Sequence, residues 1–256
     1  PDETMEGEQS NTGNADASGD KLSLLLSETQ RTLMDAVLSV GKPTVICLMA
    51  GSSIDLGEAA DKANAVLLGW YPGARGGKTI ADILLGKLSP SGKLPVTFYH
   101  NEQLDRMPDF TDYAMKGRTY RFMEEEPLYP FGYGLTYGDV YVSGVSAAKT
   151  EGGYTVEATV TNDGSYDTQD VVQVYCQNNG SANAPKNPRL CAFQRITCPA
   201  GSTVKVTLTV SDTALLVAAG EGNFVAEGSP VLYVGVGQPD SRTLALTGHE
   251  ALSIEL

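Results

Sequence analysis

The second half of the chain alternates apolar and polar residues with a period of two. Tyr154, Val156, Ala158 and Val160 alternate with polar residues, and residues 172–176 and 204–210 repeat the pattern. This period is typical of strands with one face toward a core and one toward water. Turn sequences such as residues 162–164 (Asn-Asp-Gly) separate the runs. About seven short strands of this kind predict an immunoglobulin-like sandwich.

The first half has a different pattern. Ser27-x-x-Gln30 predicts a capped helix start, and an apolar face at helical spacing follows it. Continuous apolar runs at residues 44–49 and 65–70 predict strands buried on both faces. A helix is predicted over 79–85 and a third strand over 94–99. Helices that alternate with apolar strands indicate a mainly parallel sheet.

The expected fold class is therefore α/β: a partial α/β sandwich with a mainly parallel sheet, followed by an all-β sandwich. The change of period falls near the glycine-aromatic sequence 131–134. This places an α/β domain at residues 1–130 and a β-sandwich domain at residues 131–256. The first visible element is a loop that enters a helix, so the α/β domain is expected to be incomplete at its N-terminus.

Composition narrows the partners. Thirty-one acidic residues face 18 lysines and arginines, for a net charge of -13. Phosphate backbones are bound by lysine and arginine, so nucleic acid is not an expected partner. No apolar run reaches the roughly 20 residues that span a bilayer, so no membrane partner is expected. No signal peptide is visible. The expected location is the cytoplasm, with a secreted or periplasmic protein as the alternative.

Cysteine and histidine usage gives no metal or cofactor signal. Four cysteines and two histidines include no CxxC pair, so neither a metal site nor a cofactor is predicted. Cys47 lies in an apolar run and is expected to be buried. A bridge between Cys191 and Cys198 is left open, and reduced thiols are the simpler interpretation.

A glycine-rich segment, residues 73–79 (GARGGKT), lies between a predicted strand and a predicted helix. Phosphate-binding loops follow the pattern G-x-x-x-x-G-K-[ST]. Gly77, Lys78 and Thr79 fit that pattern, but Pro72 occupies the position of the first glycine. A nucleotide-binding loop is therefore the weaker hypothesis, and a tight turn for close packing is the stronger one.

Two further segments offer candidate chemistry. Residues 5–8 (MEGE) place Glu6 and Glu8 on a long acidic loop, where one carboxyl with a raised pKa would serve as a general acid. Composition alone also fits a solvated surface loop. Residues 108–137 mix aromatic side chains with Lys116, Arg118 and Arg121. They suit sugar or carboxylate contacts, and equally a connector that packs against the neighbouring elements.

The order of several motifs resembles glycoside hydrolase family 3. The motifs are MEGE (5–8) with SGDK (18–21), GKP (41–43), WYPGxxGG (70–77), SPSGKLPVTF (89–98), PLYPFGYGLTY (127–137) and the strand-rich tail with VTNDG (160–164) and DVVQVY (170–175). The tail resembles the fibronectin type III-like domain of that family. The segment 113–122 is most similar to β-xylosidase members, and β-glucosidase and α-L-arabinofuranosidase members remain open.

The resemblance implies a retaining, exo-acting glycosidase that removes terminal β-linked xylose or glucose from oligosaccharide or aryl glycoside substrates. It implies Glu8 as the acid/base residue, with Glu6 as the second choice, and an aspartate nucleophile on an absent N-terminal barrel domain or chain. The fragment alone is then expected to be inactive. The family's Asp-Arg pair is replaced here by Asp20-Lys21 after an intervening segment 9–18. A non-catalytic carbohydrate-binding module is the alternative, and self-association is left open.

Overall fold

The computed structural model describes residues 23–109 and 111–256, which group by their contacts into two compact units. Residues up to Asp82 form the first unit together with Phe98–Met107. Ile83–Thr97 and Pro108–Leu256 form the second. The domain boundary between residues 130 and 131 stays a prediction.

The first unit is built from short helices and a small sheet. Along the chain come α1 (Glu28–Leu38), β1 (Val45–Leu48), α2 (Glu58–Lys62), β2 (Ala65–Leu68), the start of α3 (Gly76–Leu84) and a 3₁₀ helix (Asn101–Arg106). The predicted cap of α1 is confirmed, because the Gln30 amide donates to Ser27 Oγ at 3.4 Å and the Ser27 amide donates to Gln30 Oε1 at 3.2 Å.

The predicted parallel pairing is confirmed, since β1 pairs with β2 from Val45 opposite Ala65 to Leu48 opposite Leu68. The prediction that β1 is buried on both faces is wrong for the part of the chain the structure describes. Val45 is 44% exposed, and Cys47, which was expected to be buried, is exposed as well. Among the described residues β1 pairs with β2 alone, which leaves its other edge open.

The predicted strand over residues 94–99 is also wrong. Pro95 has no amide hydrogen to give to a ladder. The backbone of Leu94 pairs with a turn, because its amide donates to the Tyr133 carbonyl at 2.8 Å and its carbonyl accepts from the Gly132 amide at 2.8 Å. The segment therefore contributes side chains and single hydrogen bonds to the second unit instead of a strand.

The second unit contains the predicted β-sandwich. Its elements are the short helix α4 (Thr119–Phe122), β3 (Val140–Thr150), β4 (Gly153–Asn162), β5 (Thr168–Asn179), β6 (Arg189–Cys198), β7 (Ser202–Ser211), a 3₁₀ helix (Asp212–Leu215), the small hairpin β8 (Val217–Ala218) and β9 (Phe224–Val225), β10 (Ser229–Gly235), α5 (Ser241–Thr247) and β11 (Leu252–Glu255). Three strands form one sheet in the order β3-β4-β7, and four form the other in the order β11-β10-β5-β6. The pairs within both sheets are antiparallel.

The core of the sandwich consists of the apolar positions of the alternating pattern. Its members with no exposed surface are Val156, Val160, Val172, Val174, Val210, Leu232 and Val234. Burying an aliphatic side chain contributes roughly 1.5–3 kcal/mol, so this set carries much of the unit's stability.

The four cysteines are free thiols. Cys191 and Cys198 lie seven positions apart on the single strand β6. At about 3.3 Å per residue their Cα atoms are separated by roughly 23 Å, well beyond the ~7 Å that a disulfide spans. Of the helices that the structure describes, none has both the length and the apolar composition needed to cross a bilayer.

Candidate functional site

The two predicted acid/base residues, Glu6 and Glu8, lie outside the described residues. The structure begins at Ser23, so it shows how the end of their segment enters the first unit. Ser23 Oγ donates to Asn101 Oδ1 at 2.9 Å, and the Leu24 amide donates to the same oxygen at 2.9 Å. A side chain from the 3₁₀ helix therefore holds the entry point of this segment.

Asp55 is the second anchor of this region and is 6% exposed. Its amide donates to the Leu24 carbonyl at 2.9 Å. Its two carboxylate oxygens accept from the Gly57 and Asn101 amides, both at 2.8 Å. Sequence reasoning missed Asp55 and Asn101 because their partners lie 31 and 77 positions away. The only local signal is Asp55-x-Gly57, a common turn pattern.

Asp55, His100 and Glu102 place three potential ligand atoms within 4.8 Å of one another. One imidazole and two carboxylates would suit a borderline divalent cation such as Zn²⁺ or Mn²⁺. Both Asp55 oxygens already accept backbone hydrogen bonds, however, and these bonds account for the burial of the carboxylate without a metal ion. The group therefore serves the anchoring of the loops in this structure.

Aromatic residues line the loops that follow the carboxyl ends of β1 and β2, the edge where α/β sheets bind ligands. Trp70 packs edge-on against Phe98, with 6.1 Å between ring centroids, and has a left-handed φ of 49°. Tyr71 is 67% exposed. A Cβ at Gly51 would lie 2.5 Å from the Tyr71 ring, so glycine is required where the two loops meet. An uncommon backbone conformation at such an edge marks a constrained position.

The glycine-rich segment 73–79 is built as a packing turn. A Cβ at Gly76 would lie 2.4 Å from Pro72 Cβ, so the start of α3 sits directly on that proline. Lys78 forms an ion pair with Asp82 one turn along α3. The lysine is thus engaged on the helix surface, which agrees with the tight-turn hypothesis and leaves the nucleotide-binding hypothesis without a cradle in the described residues.

The aromatic and cationic segment after residue 108 is held by its own backbone. Arg118 donates from Nη2 to the carbonyls of Pro108 (3.0 Å) and Asp109 (2.5 Å), and from Nη1 to the Asp112 carbonyl. The Tyr120 ring stacks on Phe131, with 4.4 Å between centroids. These contacts favour the connector interpretation for Arg118 and Tyr120.

Three acidic residues, Glu124–126, border a cavity of about 290 Å³ in the second unit. Glu124 lies 3.5 Å from Lys186 Nζ, and Glu126 lies 3.8 Å from Arg242 Nη1. Asp240 also lines this cavity and accepts from the Thr243 amide at 2.7 Å at the start of α5. Burial raises the pKa of Asp240, against the opposing effect of that hydrogen bond. The acidic groups of this cavity are thus committed to local pairs and to a helix cap.

The chain matches two family models. Residues 2–137 match the glycosyl hydrolase family 3 C-terminal domain, and residues 170–238 match a fibronectin type III-like domain. The chain is 38% identical over 199 residues to a xylan 1,4-β-xylosidase from Xylanibacter ruminicola, covering 77% of this chain and 23% of the relative. It is 32% identical over 219 residues to a periplasmic β-glucosidase from Salmonella typhimurium, covering 79% of this chain and 28% of the relative.

The fold agrees with these similarities. The crystal structure of DesR, a β-glucosidase from Streptomyces venezuelae in complex with D-glucose, superposes with a TM-score of 0.79 at 29% identity. The match covers 94% of this chain and 32% of that one. The chain spans between about a quarter and a third of the proteins it matches. With the first family model covering more than half of its length, the chain belongs to glycoside hydrolase family 3 and carries its C-terminal α/β domain followed by a fibronectin type III-like sandwich.

Proposed function

We propose that the chain is the acid/base-bearing part of a retaining, exo-acting glycoside hydrolase that removes terminal β-linked xylose or glucose from oligosaccharides or aryl glycosides. The observation that carries this proposal is the 38% identity to a xylan 1,4-β-xylosidase across 77% of the chain. The 32% identity to a β-glucosidase supports glucose as the second sugar to test. Because the chain spans 23% of that xylosidase, the complete activity needs residues beyond it.

The proposed chemistry divides two carboxyl groups between two parts of the enzyme. An aspartate on an N-terminal barrel attacks the anomeric carbon, and the glycosidic C–O bond breaks as Glu8 gives its proton to the leaving oxygen. Glu8 then removes a proton from water, which attacks the glycosyl–aspartate ester and releases the sugar. Glu6 is the second choice for the same role.

The test uses a polypeptide that joins the barrel region to this chain, with Glu8→Gln and Glu6→Gln variants. The acid/base variant is expected to lose about 10²–10⁴-fold in kcat/KM on aryl β-xylosides with poor leaving groups, because those need the proton most. The loss on 2,4-dinitrophenyl β-xyloside should be far smaller, and azide should restore turnover of that substrate. The other glutamine variant is the matched control. Near-normal rates for both variants on both substrates would contradict the proposal.

Location remains a separate proposal. The sequence favours the cytoplasm, and a relative at 32% identity is described as periplasmic. Fractionation of producing cells, with activity measured in the cytoplasmic and periplasmic fractions, distinguishes the two.

A further inference from the structure

Residues 23–25 form a short connection that precedes the first helix. The helix α1 begins only at Glu28, and its cap is Ser27, so the hydrogen bonds of the helix do not hold this connection. The Leu25 amide bonds locally to Ser23 Oγ at 3.1 Å. Every longer-range hydrogen bond given above for this connection comes from Asn101 or Asp55.

Asn101 is placed to fix this connection rather than to follow it. Its Oδ1 accepts both the Ser23 hydroxyl and the Leu24 amide, each at 2.9 Å. Its own amide donates to Asp55 Oδ2 at 2.8 Å. Asn101 is also the first residue of a 3₁₀ helix. The acceptor oxygen is therefore held by a turn of backbone and by a buried carboxylate.

Asp55 closes the arrangement from the opposite side. It is nearly buried, and its amide donates to the Leu24 carbonyl while its Oδ1 accepts from Gly57. Leu24 is thus bonded through its amide to Asn101 and through its carbonyl to Asp55. A residue bonded on both sides of its backbone has little freedom to shift, so the connection has a defined position.

We propose that Asp55 and Asn101 are positioning residues that hold the end of the segment bearing the acid/base glutamate. This inference rests on the proposed function, in which Glu8 or Glu6 transfers the proton. Fixing the point where a catalytic segment joins the scaffold limits the positions its carboxyl can take. Misplacement of a catalytic group by about 1 Å can cost on the order of 10²-fold in rate.

The test compares Asn101→Leu with Asn101→Asp in the polypeptide that contains the barrel region. Leucine has a similar size but cannot accept hydrogen bonds, whereas aspartate keeps the acceptor oxygen. Asn101→Leu is expected to lower kcat about tenfold on aryl β-xylosides with poor leaving groups, with KM changed less than about twofold and a smaller loss on activated ones. Asn101→Asp should retain most of the activity.

Asn64→Leu is the matched control, because Asn64 Oδ1 also accepts a backbone amide in the first unit, that of Thr44 at 2.8 Å. It should leave the leaving-group dependence unchanged. In the 256-residue chain itself, Asn101→Leu should speed tryptic cleavage after Lys21, which lies two positions before Ser23, and Asn64→Leu should not.

The outcomes separate the two proposals. If Glu8→Gln or Glu6→Gln shows the acid/base signature but Asn101→Leu behaves like Asn64→Leu in both assays, only the positioning role is overturned. The same holds if cleavage after Lys21 accelerates while kcat stays normal. If neither glutamine variant shows the signature, the proposed function fails and the positioning role fails with it.

Discussion

Lys93 and Asp170 form an ion pair that is almost fully removed from water. Their charged atoms are 2.7 Å apart, and their side chains are 11% and 4% exposed. Lys93 also donates to the Gly134 carbonyl at 2.7 Å, and Asp170 accepts from the Val171 amide at 2.7 Å. Burial raises the pKa of Asp170, and Lys93 opposes that shift. The carboxylate therefore depends on Lys93 for charge compensation.

Replacing Lys93 by methionine is expected to destabilise the second unit by about 3–5 kcal/mol, because an uncompensated charge stays buried. The matched control is Lys149→Met, whose partner Asp212 lies 2.6 Å away on the surface, and this change should cost about 1 kcal/mol or less. Urea unfolding followed by circular dichroism measures both. Equal losses in the two variants would mean that the buried pair has no special weight.

The loss in Lys93→Met should depend on pH. A carboxyl whose folded pKa is raised contributes stability that is complete below its unfolded pKa, near 3.8, and is lost as the pH rises through the folded pKa. Removing Lys93 takes away an influence that lowers this pKa. The destabilisation should therefore be small near pH 3.5 and largest at neutral pH. Unfolding of both proteins across this range checks it, and a loss independent of pH would contradict it.

The thiols should differ sharply in reactivity. Cys47 is exposed on β1, whereas Cys176 and Cys198 are buried. Burial raises the pKa of Cys191 to about 12, so its reactive thiolate is scarce at pH 8. Ellman's reagent should therefore modify one thiol rapidly in the native 256-residue chain. Cys47→Ser should abolish this fast phase, and a fast phase that survives would disprove the assignment.

Among the elements, alternating strands were the easiest to predict. Residues 154–160 form part of β4 and residues 204–210 part of β7, because a period of two matches a sheet with one buried face. The strand expected over 94–99 failed because an apolar run does not fix hydrogen bonding, and Pro95 removes a donor. The burial of Cys47 failed because burial depends on what covers a strand, which the run itself does not encode.

The small parallel sheet should exchange its amides quickly. No residue of β1 or β2 is buried, whereas β5 contains several residues without exposed surface. Amides in elements with little buried apolar area open with low free energy. In hydrogen-exchange mass spectrometry of the 256-residue chain, peptides from residues 45–48 should exchange well before those from residues 172–176. Equal protection would contradict this expectation.

At the scale of the whole molecule, sequence motifs identified the family before any contact was known. The matched models cover residues 2–137 and 170–238, which include every motif that suggested the resemblance except that at 160–164. The anchoring of Leu24 by Asp55 and Asn101 was beyond sequence reasoning. It joins three loops whose proximity is set by tertiary packing, and no local pattern specifies which asparagine will meet which amide.

The contacts of residues 89–93 also impose an order on folding during synthesis. Ser89 Oγ lies 2.7 Å from Thr168 Oγ1, and Arg195 donates to Ser91 Oγ at 2.6 Å, across 79 and 104 positions of sequence. At roughly 5–20 residues per second, a ribosome needs about 5–20 s to add the 104 residues from Ser91 to Arg195. During that time Lys93 has no Asp170 to pair with for most of the delay. The segment that starts the second unit must therefore stay hydrated until β5 and β6 have emerged, so the last-made strands complete what the earlier residues began.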